Sequence, residues 1–403
     1  MTGEVDAAAA EATSMDPVRL QALIDDLDAR YVRSGKLPHL QIMISRDERP
    51  LAFASRGQAR ADGTPLRDDA LFRIASMTKP LTSVAFMMLV EEGRVALDDP
   101  VTDVLPEFAA LRVGVGGETA RPMRMIDLLR HTSGLTYGLQ RRTAIDARYR
   151  DLGLDEFQQK RSGDEFIAAL AVLPLEFQPG TAWNYSVATD VLGVVIERLT
   201  GQSLEAVIRA RICGPLGMDD TWFVLPSDRT DRLTDAWRLA EEGGSTVADW
   251  GARSGWQRSG RLNSGGGGLV SSSADYHRFA RMLLRGGELD GVRLLRPETV
   301  AAMRSNQLPG GGDLAALSTG MFSEADYAGT GFGLGFAVDG RSGIFYWGGV
   351  FSTFFFVDPG EAIIAILMTQ FMPSSLHPIR AELRAAVDGA ILNRRNRAIN
   401  GTL

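Results

Sequence analysis

Ser76-Met77-Thr78-Lys79 places a hydroxyl and an amine three residues apart, where a short apolar run gives way to a long one. Residues at that spacing project from one face of a helix, so the two side chains meet if a helix forms there. A serine hydroxyl becomes a nucleophile when a neighbouring base takes its proton. A lysine amine serves as that base once burial or a second positive charge keeps it neutral. Leu71-Phe72-Arg73-Ile74-Ala75 reads as a buried segment, and Leu81 to Val90 as a helix that stops at Gly93. Ser76 then stands at a helix N-terminus, whose unpaired N–H groups and positive dipole end stabilise a developing oxyanion. The same pattern also fits a serine that only caps a helix.

Two later segments supply partners. Asn184-Tyr185-Ser186-Val187 lies between the turn Gln178-Pro179-Gly180 and the helical run Asp190 to Leu199, a loop able to aim a phenol into a cleft. A lysine cation near Tyr185 lowers its pKa and lets its oxygen relay a proton between Ser76 and a leaving group; packing under the helix is the alternative. In Trp347-Gly348-Gly349-Val350 the paired glycines let a substrate approach the backbone, and an N–H just beyond them supplies a second oxyanion donor. A simple β-bulge would use the same glycines.

The elements that must hold these residues can be read along the chain. Residues 1–15 read as a flexible Ala-rich leader, followed by a helix from about Asp16 with Pro17 in its first turn. Leu40 to Ser45 and Leu51 to Ser55 are strand candidates joined as a hairpin through Arg46-Asp47-Glu48-Arg49-Pro50. Helical signals dominate from Ser76 to about Arg285, broken by loops at Val113 to Gly117 and Asn263 to Gly268. Gly333 to Val338, Gly343 to Trp347, Thr353 to Val357 and Ala362 to Thr369 then read as an antiparallel meander, and a last helix runs from Pro378 to about Leu392. Strands at both ends imply that the termini share one sheet. The expected fold is α+β: an antiparallel sheet flanked by N- and C-terminal helices, with a large, mainly helical insertion. The sheet part spans about 16–75 and 330–395, the helical part about 76–329, and the whole of 16–395 forms one unit with its cleft between the parts.

Composition excludes several other functions. With 403 residues and 45% hydrophobic content the chain can bury a substantial core. Its 43 basic and 50 acidic residues include no basic patch for nucleic acid and no cationic amphipathic stretch for a membrane surface. Met1-Thr2-Gly3-Glu4-Val5-Asp6 lacks the features of a signal peptide, and no later run is apolar for long enough to span a bilayer, so the expected location is the cytoplasm. The single Cys213 reads as a buried apolar residue, and four scattered histidines make no metal cluster; neither metal nor cofactor is expected.

Taken in order, Ser76-Met77-Thr78-Lys79, Tyr185-Ser186-Val187 and Trp347-Gly348-Gly349 resemble the serine β-lactamase and penicillin-binding-protein superfamily. The chain is most similar to its esterase branch, the family VIII carboxylesterases, from about Asp16 to Leu392. Leu128 to Leu135 and Gly265 to Ser271 support the resemblance. It implies a β-lactamase/transpeptidase-like fold, Ser76 as the acylated nucleophile, Lys79 and Tyr185 sharing base and acid work, and an oxyanion hole from the N–H groups of Ser76 and Val350. Trp347 stands where lactamases carry a cation for the substrate carboxylate, and Val187 where they carry a side-chain amide. Both departures remove polar anchors, so the implied substrate is a neutral, short-chain ester, with Trp347, Gly348, Gly349 and Tyr137 lining its site and water as the second reactant. An acyltransferase of the same fold, a weak β-lactamase or peptidase, and a non-catalytic binding member are the alternatives.

Other features read as structural. His131 sits at a loop corner, the Gly265 to Gly268 run has no Lys-Ser/Thr after it to make a phosphate cradle, and no Gly-X-Ser-X-Gly elbow is present.

Overall fold

The computed structural model describes residues 4–114, 116–258, 260–320 and 328–395. A seven-stranded antiparallel sheet lies at its centre, built from both ends of the chain. β1 (His39–Arg46) and β2 (Arg49–Gly57) form the expected hairpin. β3 (Thr330–Phe332), β4 (Ala337–Asp339), β5 (Phe345–Gly348), β6 (Phe354–Asp358) and β7 (Ile363–Met368) form the meander. The spatial order is β3-β4-β5-β6-β7-β1-β2, with Ile44 of β1 opposite Ala365 of β7. β7 is apolar and buried at every position, which a sheet covered on both faces requires.

The main helices are α1 (Ala7–Ala12), α2 (Pro17–Leu27), α3 (Thr78–Glu91), α4 (Ala188–Thr200), α5 (Ser273–Leu284) and α6 (Ile379–Gly389). α6 covers one face, where Phe356, Ile363, Ala381 and Ala385 line a common cavity, and α2 packs against α6. The other face is covered by α5, whose Tyr276 ring lies 5.0 Å from Phe355. An element from the middle of the chain therefore builds half of the sheet's cover. α3 is buried almost all round, as a helix at the centre of a large protein must be. α4 packs along it. Among the described residues no helix is long and apolar enough to cross a membrane.

Several expectations are corrected. The stretch expected as a flexible leader is ordered from residue 4: the Phe53 N–H donates to Glu4 O, the Asp6 N–H to Leu51 O, and Asp6 caps α1, whose Ala10 is buried. The outer edge of β2 needs a partner for its free peptide groups, and alanine supplies a helix that packs closely. Of the run Gly333 to Val338 only Ala337 onward is strand, because Gly335 (φ +111) turns the chain there. β3 and a second hairpin, Ala236–Leu239 with Ser245–Asp249, give no clear signal in the sequence.

The sheet also buries two imidazoles. His39 Nδ1 lies 2.8 Å from Gln58 O, and His277 Nε2 of α5 lies 2.7 Å from Ser45 Oγ of β1. Burial pushes both rings from the ordinary 6.5 down to about 4. The unfolded chain takes up these protons below pH 6.5 and the native chain only near pH 4, so the stability is complete above the first value and declines toward the second. The urea midpoint should fall across that window. His277→Gln, whose amide can still reach Ser45 Oγ, should flatten the fall by one proton's contribution; equal slopes in both proteins would refute this account.

Candidate active site

Ser76 sits in a 3-10 turn, Ala75–Met77, that leads into α3. The segment before it is pinned from both sides. Phe72–Arg73 pairs with Val270–Ser271, the Arg73 N–H donates to Gln370 Oε1 at 3.0 Å, and Gln370 Nε2 donates back to Arg73 O at 3.0 Å. The buried Arg73 guanidinium donates to Asp249 at 2.7 Å and to Thr234 O at 2.7 Å. Ala75 then adopts φ +44, a left-handed conformation that a non-glycine residue holds only where its surroundings impose it. From Leu71 to Pro80 every residue is buried except Ser76. The turn thus offers one side chain to solvent.

Lys79 is 0% exposed. Its Nζ lies 3.2 Å from Ser76 Oγ, 3.2 Å from Tyr137 Oη and 2.7 Å from Gly266 O. The aromatic faces of Tyr185 and Tyr137 complete its cage, with ring centroids 4.5 Å and 5.5 Å from Nζ. The predicted meeting of serine and lysine therefore occurs. Tyr185 is brought beside them by a loop tied to the 131–136 segment: the Asn184 N–H donates to His131 O at 2.9 Å and Asn184 Nδ2 to Leu135 O at 2.9 Å. Trp347 Nε1–H donates to Tyr185 Oη at 3.1 Å. Val187 is buried immediately before α4.

Tyr137, expected as a lining of the cleft, instead belongs to the lysine cage and is buried. Burial, and after it the Asp190 charge, push its phenol well above the ordinary range, so it stays protonated. Trp347, expected as an apolar wall toward substrate, is 0% exposed and acts on the site through its bond to Tyr185. The glycines beside it are likewise buried, and what they admit is protein. A Cβ on Gly348 would meet the Arg380 guanidinium at 2.6 Å, and one on Gly349 would meet Ile74 O at 2.5 Å and Ala75 Cβ at 3.2 Å. A side chain on Gly349 would push the turn that carries Ser76 off the sheet. Val350 follows in a partly exposed turn and packs near Ala75.

His131 is buried among aromatic rings, with Nδ1 3.2 Å from Ser186 Oγ and its ring 4.8 Å from Tyr185. Burial, then the nearby Lys79 charge, hold it well below the ordinary pKa, so it stays neutral and structural. The Gly265 to Gly268 run docks on α3: Thr82 Oγ1–H donates to Gly265 O at 2.8 Å, and Gly266 O receives Lys79. Sequence reasoning missed Gly266 O because a backbone carbonyl has no residue signature. It also missed Asp190, whose buried carboxylate accepts from Ser264 Oγ at 2.5 Å and from the Gly266 N–H at 3.0 Å. A charged residue on the inner side of an apolar helix was the signal available.

The chain matches the family described as beta-lactamase over residues 20–389. It is 36% identical over 379 residues to Protein Rv1367c of Mycobacterium tuberculosis, covering 88% of this chain and 90% of that protein. It is 34% identical over 406 residues to esterase EstB of Burkholderia gladioli, covering 93% and 97%. Among solved structures it is similar to EstCE1, a hydrolase with promiscuous acyltransferase activity, with a TM-score of 0.78 at 25% identity over 92% of this chain and 98% of that one. The antiparallel sheet with its helical covers and the sequence match lead to one family, and the chain belongs to the beta-lactamase family.

Proposed function

We propose that the protein is a serine carboxylesterase that hydrolyses neutral, short-chain esters through an acyl-enzyme on Ser76. The observation that carries this reading is the fully buried Lys79 amine 3.2 Å from the hydroxyl of Ser76, the one solvent-facing side chain of its segment. The esterase EstB, similar over nearly the whole chain, supports the ester class.

In the first step neutral Lys79 takes the Ser76 proton as Oγ attacks the ester carbonyl. The carbonyl oxygen, now an anion, lies between the N–H groups of Ser76 and Val350. The tetrahedral adduct then collapses, the C–O bond to the alcohol breaks, and the proton passes through Lys79 and Tyr185 to the leaving oxygen. Water repeats the sequence on the acyl-enzyme, giving up its proton to the same pair and releasing the acid. The two groups titrate together, so the base belongs to the pair. The neutral substrate follows from Trp347 and Val187, which put no cation and no amide where a lactam would be anchored. Acyl transfer to an alcohol in place of water is the second reading, favoured by the similarity to EstCE1. Adding an alcohol and measuring ester product against free acid separates the two.

Ser76→Ala should abolish hydrolysis of a short-chain aryl ester by the purified protein; turnover at the wild-type rate would end the proposal. Tyr185→Phe should lower kcat at least ~10²-fold, the lower end for a positioned acid or base. Gly349→Ala, by moving the turn that carries Ser76, should slow labelling of Ser76 by a fluorophosphonate and lower the thermal midpoint. Unchanged labelling would mean that the close approach at Gly349 does not position the nucleophile.

A further inference from the structure

The peptide that joins Gly349 to Val350 has two working ends. Its N–H, on Val350, is the second oxyanion donor of the proposed mechanism, and its carbonyl, on Gly349, points the opposite way because the bond is trans. The carbonyl oxygen accepts twice: the Ser352 N–H donates at 2.9 Å and closes a turn, and Nη2 of Arg380 donates at 2.5 Å. The Val350 N–H has no acceptor among the described residues. It is available to a ligand.

Arg380 reaches this carbonyl against local preference. It stands in the first turn of α6, where the positive end of the helix dipole disfavours a cation, and it is only 8% exposed. Its guanidinium crosses Gly348 on the way: a Cβ on Gly348 would lie 2.6 Å from Cζ and 2.8 Å from each Nη. The ring of Phe354 on β6 lies 5.9 Å from Cζ. Gly348 thus keeps a path open between one cation and one carbonyl. The peptide is also tied to the turn that carries Ser76, because the Gly349 N–H donates to Thr353 O at 2.9 Å and Thr353 Oγ1–H donates to Ile74 O at 3.3 Å.

We propose that Arg380 is a positioning residue that holds and polarises the Gly349–Val350 peptide, strengthening the Val350 N–H as an oxyanion donor. The proposal rests on the acyl-enzyme reading, with Val350 in the oxyanion hole. An amide shares its electrons among oxygen, carbon and nitrogen. A charged donor on the oxygen draws density toward it, leaves the nitrogen more positive and makes the N–H a better donor, as linked hydrogen bonds reinforce one another. The gain is largest when the substrate oxygen becomes an anion. Arg380 therefore favours the transition state over the bound ester without touching either.

Arg380→Gln removes the charge and keeps amide donors at that position. On a short-chain aryl ester its kcat should fall about 10- to 100-fold, with little change in KM; removing a whole oxyanion donor costs ~10²- to 10³-fold. The decisive readout is the acyl group itself. With p-nitrophenyl trimethylacetate carrying carbon-13 at its carbonyl, the infrared band of the acyl-enzyme should move to higher frequency in Arg380→Gln, as weaker hydrogen bonding to that oxygen requires. A wild-type kcat, a raised KM in place of the lowered kcat, or a rate loss with an unmoved band would each overturn the proposal. If Arg380→Gln does not fold, Gly348→Ala decides: its methyl displaces the guanidinium from the carbonyl, and a wild-type band there overturns the proposal as well. Fluorophosphonate labelling of the wild type separates the two levels of inference. Labelled Ser76 with an unmoved band in the variants removes only the role of Arg380, whereas an unlabelled wild type removes the acyl-enzyme reading with it.

Discussion

The site depends on the complete burial of one lysine. Taking an ammonium or an amine out of water is costly unless its donors find acceptors. Lys79 meets that demand with oxygens from Ser76 in the turn that leads into its helix, Tyr137 from a loop about sixty residues later, and Gly266 from a glycine run much later. Each acceptor belongs to a different segment, so the packing that buries the amine also brings the segments together. The same low-dielectric surroundings keep the Tyr137 phenol protonated and His131 neutral. Each group's own loss of water sets its protonation first, the Lys79 charge adding to it at His131, and the rings of Tyr137 and Tyr185 lie over the amine.

Close backbone approach is the second constraint. The turn that carries Ser76 lies against the end of β5 because Gly349 has no side chain, and the Gly266 peptide lies between Asp190 and Lys79 for the same reason. These contacts leave little freedom to the turn at Ala75, whose left-handed conformation is held by Gln370 and Arg73 on one side and the sheet on the other. Trp347 adds to the rigidity by bonding Tyr185 and leaves no face open to solvent.

Much of the frame was legible where periodicity was strong. β1 and β2, the apolar run of β7, and α2 behind its Asp16 cap follow from alternation, burial and capping alone. The failures share a cause: in each, a neighbour outside the local sequence decided the outcome. The alanine-rich start has no amphipathic pattern of its own and becomes α1 because the edge of β2 receives it. β3 is short and carries a glycine, and the hairpin Ala236–Asp249 is mostly exposed, so neither shows a clear alternation. α5 reads correctly as a helix, yet nothing local says that it will close the far face of the sheet.

The candidate site divides in the same way. The Ser76 to Lys79 spacing is local: one turn of 3-10 helix running into α3 brings the two side chains to 3.2 Å. The order of the three motifs along the chain was enough to indicate the family and the kind of chemistry. Roles that depend on distance between segments were beyond the sequence. That Tyr137 touches Lys79, that Trp347 bonds Tyr185 with its ring buried, and that Asp190 accepts from the Gly266 N–H are results of packing between elements far apart in the chain. Local spacing specifies which groups share a helix face; only the folded interior specifies which groups lose their water together, and that loss sets their protonation and orientation.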